Sequence, residues 1–158
     1  MTNRHTMTFT AAPDHIDVFG HVNNTVWVEW CQTIATAHWT TVAPPALQEA
    51  YVWLVTRHEI DYRGNIGLGE CVEAVTFIPD PPSGARFDRR TDFRNAAGAD
   101  ASGKVIVSAR TTWALLDRHS GRLQRVRRSG LWLMARVRLM SYERMTKERS
   151  FFPDQVKR

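Results

Sequence analysis

Cysteine is scarce in this chain: Cys31 and Cys71 are the only two in 158 residues, each sits in an apolar run, and they form no C-x-x-C pair. That argues against a disulfide framework and against a zinc site, and points to a reducing, cytoplasmic setting. Long hydrophobic runs are missing as well. No stretch approaches the roughly 20 apolar residues that span a bilayer, and the N-terminal MTNRHTMTF has no continuous apolar core of a signal peptide, so no membrane partner is expected. There is no internal repeat and no sign of a second domain. The formal charge is +5, but much of the excess (Arg122, Arg125, Arg127, Arg128, Arg136, Arg138, Arg144, Lys147, Arg149) follows the last convincing strand. Such a distribution fits a solvated basic tail, or a surface for an anionic substrate, better than a nucleic-acid face.

What is present is enough for one domain: 43% hydrophobic and 23% charged residues at a length that buries about two thirds of the unfolded surface. Residues 5–11 alternate His5, Met7, Phe9, Ala11 against Thr6, Thr8, Thr10, the period of a strand with one buried face. Val26, Trp30, Ile34 and His38 then recur every fourth residue beside Trp27, Cys31 and Ala35, which predicts a helix from near Asn24 to near Thr40, closed by Pro44 and Pro45. Period two follows. Residues 51–62 set Val52, Leu54, Thr56, His58, Ile60 and Tyr62 on one side. Residues 71–78 read as a strand, and 86–94 set Arg86, Asp88, Arg90, Asp92 and Arg94 against Phe87, Thr91 and Phe93. In 104–116, Val105, Val107, Ala109, Thr111, Trp113 and Leu115 share a face. The order predicts an α+β fold, a strongly curved antiparallel sheet of about five strands wrapped around one long central helix, over residues 1–128. Residues 129–158 read as a basic C-terminal extension of the same domain, with a helix of irregular apolar spacing over 129–149.

The chemistry concentrates in DHIDVFGHVNN, residues 14–24. A helix beginning at Asn24 leaves its first amides unpaired at a partially positive end, where a carbonyl oxygen gaining negative charge can be held. Asp17 lies just upstream across Gly20, which lets the chain turn back toward the same carbonyl. A carboxylate there can attack a thioester or take a proton from the attacking water. The same residues also have plain readings: Asp17 as a loop residue satisfying nearby amides, and Asn23 or Asn24 as an ordinary N-cap.

D-x-x-G-H-V-N-N before an aromatic-bearing helix, with RHEIDYRGNIGLGE and TTWALLDRHSGR further on, resembles the hotdog-fold acyl-CoA thioesterases of the 4-hydroxybenzoyl-CoA thioesterase type, over roughly residues 6–126. The resemblance implies Asp17 as the catalytic carboxylate and the Asn24 amide as the group that polarises the thioester carbonyl, with Gly20, His21 and Asn23 ordering the loop and holding water. It implies hydrolysis of an acyl-CoA or acyl carrier protein thioester without metal or redox cofactor. It also implies homodimers, often tetramers, with substrate between protomers. A hotdog dehydratase and a non-catalytic acyl-thioester binder are the alternatives. On the helix face that lines the acyl pocket in that family, Trp27 stands where tyrosine is common and Gln32 where an acid is common, which argues against a hydroxybenzoyl substrate.

Several other residues carry expectations. His38 and His58, on apolar faces, read as partnered core or interface histidines, and Asp14 and His15 as solvated approach residues. Among Arg86, Arg89, Arg90, Arg94 and Lys104, some are expected to meet CoA phosphates. One helix about 25 Å long, at 1.5 Å per residue, cannot cover a five-stranded sheet that also carries Tyr51, Trp53 and Val55 opposite Val52, Leu54 and Thr56. That leftover apolar surface itself calls for a homodimer at least.

Overall fold

A helix this apolar needs a surface to lie on, and the chain supplies one by curving five strands around it. The computed structural model describes residues 4–96 and 103–126. In chain order these form β1 (Arg4–Thr10), a 3-10 turn at Pro13–His15, α1 (Asn24–Val42), α2 (Pro45–Ala50), β2 (Tyr51–Tyr62), β3 (Cys71–Phe77), β4 (Arg86–Asn95) and β5 (Val105–Asp117). The strands make one curved sheet in the order β1-β3-β4-β5-β2, antiparallel at every step. Helix α1 therefore carries the chain from one edge of the sheet to the other. The expected helix over 129–149 and the middle of the 95–103 loop lie outside the described residues.

The buried side of α1 is the stripe read from the sequence: Val26, Trp27, Trp30, Cys31, Ile34, Ala35 and His38. The helix stops because Ala43, ahead of Pro44, is extended at φ −88° and ψ 134°, the conformation a following proline imposes. Pro45 then opens α2, since a proline at the first helical position loses no hydrogen bond. This six-residue helix was not expected; the proline pair read only as a stop.

Two apolar clusters hold α1 on the sheet. The larger one includes Val22, Trp27, Trp30, Ile34, Phe93 and Val107, with Trp27 edge-on to Phe93 and to Trp30, each at 5.1 Å between ring centres. Aromatic quadrupoles favour that geometry. The smaller cluster joins Ala35, Ile78, Phe87 and Trp113, with Trp53 and Val55 packed against it.

Two expectations about faces are corrected. Residues 52–62 do not keep one phase, because Val55 pairs with Trp113 and Arg57 with Thr112, leaving Thr56 as an extra residue in a bulge. Trp53 and Val55 face the core before it, and Ile60 after it. On β4, Arg89 shares the inward face with Phe87, Thr91 and Phe93 and is 5% exposed. It is therefore not on the outer surface where phosphate contacts were expected.

Candidate active site

The segment before α1 is a tight hairpin. Ile16 and Val22 form an antiparallel bridge, the Asp17 amide donates to the His21 carbonyl at 2.8 Å, and the Gly20 amide donates to the Asp17 carbonyl at 3.0 Å. Gly20 turns the chain at φ 78°, a region costly to residues with a Cβ. The Asp17 carboxylate caps this turn: Oδ1 accepts from the amides of Phe19 at 2.9 Å and His21 at 3.2 Å. Both bonds fall on the same oxygen, so Oδ2 has no partner among the described residues.

The connection between β2 and β3 clamps this hairpin from below. The Val22 amide donates to the Ile66 carbonyl at 3.0 Å, and Asn65 Nδ2 donates to the Val22 carbonyl at 3.1 Å. Val22 itself is fully buried. His15 is structural rather than solvated. Its Nδ1 accepts from the Ala12 amide at 3.1 Å, its carbonyl accepts from the Asn23 amide at 2.9 Å, and its ring stands edge-on to Trp30. Asp14 is exposed. The sequence carried no sign that Asn65 would hold the loop, because that bond joins residues 43 positions apart.

Asn23 is the N-cap: its Oδ1 accepts from the Thr25 amide at 3.0 Å and the Thr25 hydroxyl at 2.9 Å. The Asn24 amide, first in the 19-residue helix, donates to no acceptor among the described residues, at the helix end where partial positive charge gathers. Tyr62 ties the end of β2 to this point by donating its hydroxyl to the Asn24 carbonyl at 3.3 Å. Burial raises the Tyr62 phenol above its ordinary pKa, so it stays a donor. Both plain readings of the sequence thus hold locally, Asp17 as a turn former and Asn23 as a cap. Together they leave one carboxylate oxygen and one helix amide without partners among the described residues.

The remaining sequence candidates separate. His21 is exposed, and its ring makes no hydrogen bond among the described residues. Gln32 lies on an open groove along α1 that begins at Thr25, next to Asn24, and includes Glu29, a carboxylate the sequence reading passed over. Trp27 is fully buried in the core between α1 and the sheet and lines neither this groove nor the cavity further along the helix. Arg86 and Arg90 are exposed on the outer face of β4, and Arg94 donates to the Gly103 carbonyl. Among the described residues no three His, Cys, Asp or Glu side chains gather as a metal ion would need, and no helix is long and apolar enough to cross a membrane.

Five antiparallel strands curved around one long helix make a hotdog fold. Residues 3–115 match the family model of the acyl-ACP thioesterase C-terminal domain, and the chain belongs to that family. Among solved structures it is similar to an acyl-ACP thioesterase from Bacteroides thetaiotaomicron at 22% identity and a TM-score of 0.67, over 77% of this chain and 49% of that one. It therefore spans about half the length of that enzyme. The DHNA-CoA thioesterase from Staphylococcus aureus is similar at 14% identity and a TM-score of 0.69, over 94% of both chains. The dynemicin thioesterase is similar at 17% identity and 0.71, over 84% of this chain and 94% of that one. No curated protein sequence matches the chain.

Proposed function

We propose that this protein hydrolyses an acyl thioester, carried by CoA or by acyl carrier protein, to the free acid and thiol. The observation that carries the reading is the Asn24 amide at the start of α1, with Oδ2 of Asp17 on the hairpin leading into it, both without a partner among the described residues. The thioester oxygen accepts from that amide, which stabilises the negative charge of the tetrahedral intermediate. Asp17 attacks the carbonyl carbon, or takes a proton from the water that does. The intermediate collapses with loss of a thiolate, a good enough leaving group for a weak nucleophile to suffice, and the thiolate takes up a proton to leave as the thiol. Where Asp17 is the nucleophile, water then cleaves the acyl-Asp17 anhydride to the free acid and restores the carboxylate. Gly20 and Asn23 shape the loop, and His21 contacts substrate or water from its exposed position. Membership in a thioesterase family supports this chemistry, as do neighbours named as thioesterases.

The same reading includes a homodimer as the working unit, with a tetramer as its extension. Strand β2 is an open sheet edge, and Leu54 on it is 48% exposed. Around the hairpin Val18 is 94%, Phe19 80% and Leu68 62% exposed, apolar area that a second copy would cover.

The test is release of free thiol from a panel of acyl-CoA and acyl carrier protein thioesters by purified protein. Saturable release from at least one of them is expected. Tight binding of these thioesters without turnover would leave an acyl-thioester binder in place of an enzyme.

A further inference from the structure

At the far half of α1, a cavity of about 270 Å³ is lined by Gln32, Trp39, Trp53, Phe87, Arg89 and Trp113, among others, none of them Asp or Glu. Several of its wall residues are aromatic, with Trp53 edge-on to Phe87 at 4.8 Å and to Trp39 at 5.8 Å. Gln32 and Thr36 line both this cavity and the open groove that begins beside Asn24. The groove and the chamber therefore adjoin at these two side chains, and from Asn24 to Thr36 the helix rises about 18 Å at 1.5 Å per residue.

Two arginines, Arg89 and Arg118, line the chamber beside the polar side chains of Gln32, Thr36 and Tyr51. Arg89 is buried, and Nη1 meets His38 Nδ1 at 2.9 Å and the Thr76 hydroxyl at 3.3 Å, with no acidic partner among the described residues. The indole Nε1 of Trp113 is buried without a hydrogen-bond partner. A buried cation without counter-charge costs free energy, so a fold that keeps one in the wall of a chamber gains when an acceptor enters.

We propose that this cavity is the acyl-end subsite, and that it takes an acyl group with an apolar body and a carboxylate at its distal end, received by Arg89. The proposal rests on the thioesterase reading for the other end of the substrate. Guanidinium and carboxylate match as a two-bonded fork, while the indole and phenyl walls hold the carbon chain. The products are then a dicarboxylic acid and a thiol.

The full chain should be given straight-chain acyl-CoAs from hexanoyl to hexadecanoyl and the ω-carboxyacyl-CoA of each length. At the best-fitting length the ω-carboxy substrate should show kcat/KM higher by about tenfold or more. Arg89→Met should abolish that preference, bringing the ratio of the two kcat/KM values to about one. A preference for the plain chain at every length, or an unchanged ratio in Arg89→Met, overturns the proposal.

Titration with free dicarboxylic and monocarboxylic acids, read by tryptophan emission from Trp39, Trp53 and Trp113, separates the two claims. Saturable binding of the dicarboxylate alone, lost in Arg89→Met, supports the subsite even if no thioester is hydrolysed; equal responses to both acids count against it. If Arg89→Met does not fold, the wild-type rate ratio and the wild-type titration decide by the same criteria.

Discussion

Arg89 Nη1 lies 2.9 Å from His38 Nδ1, so a buried imidazole accepts a hydrogen bond from a buried cation. Only neutral His38 can accept there, which puts its proton on Nε2. Its ring also stacks on His5, 5.4 Å away and nearly parallel. Burial, then Arg89, then His5 push His38 down to about 3, and burial and Arg89 lower His5 as well. Burial alone lowers His58, whose Nδ1 pairs with the Thr111 hydroxyl at 3.0 Å.

A pH dependence of stability follows. Unfolded histidine titrates near 6.5, and folded His38 only near 3, so between those values the unfolded chain binds the extra proton. Stability is therefore complete above pH 6.5 and falls as the pH drops toward 3, by a few kcal/mol across the window. Urea midpoints measured from pH 7 to 4 should fall in the wild type and fall less steeply in His38→Gln. Parallel slopes would remove His38 as a source.

Trp27 should behave as core. Trp27→Ala is expected to destabilise by about 3–5 kcal/mol. Trp27→Phe should leave the ranking of acyl-chain lengths unchanged, because the side chain lines no cavity. A shifted length preference in Trp27→Phe, at preserved stability, would return Trp27 to the acyl pocket.

Gly20 tests the hairpin apart from its chemistry. A Cβ there meets nothing within 4 Å, but φ is +78°, so Gly20→Ala carries only the left-handed backbone cost of about 1–2 kcal/mol. Much of that would relax as a moved loop. A fall in kcat of about tenfold or more with little change in melting temperature is expected. A full loss of fold, or unchanged kcat, would contradict the assigned role.

The elements that the sequence made legible are those whose evidence is local. The α1 stripe from Val26 to His38 and the period-two runs of β4 and β5 read correctly because each repeats within its own segment. Within residues 14–24 the turn at Asp17 and the cap at Asn23 were legible because both are made by neighbours. The misreadings arose where a distant partner decides. The bulge at Thr56 exists only against Thr112 and Trp113 of β5. Arg89 had the parity of the buried face of β4, and only its charge suggested the surface; His38 and Thr76 from other elements accommodate it. Asn65 became visible as a clamp only once Val22 lay beside it.

Assembly should govern activity. With Val18, Phe19 and Leu68 exposed around the hairpin, sedimentation at micromolar concentration is expected to give a dimer or larger, and specific activity should fall on dilution into monomers. A stable monomer of full activity would dismiss the shared site and leave the hairpin to act alone.

The most direct measurement is the rate of thiol release by Asp17→Asn against wild type on the best substrate, with both proteins shown to fold equally. The amide side chain keeps a carbonyl oxygen to accept from Phe19 and His21, so the turn survives while the carboxylate is gone. A drop in kcat of about 100-fold or more with KM little changed is expected, in line with the loss of an acid–base or nucleophilic group. A kcat within a few-fold of wild type would contradict the account and remove Asp17 from the chemistry.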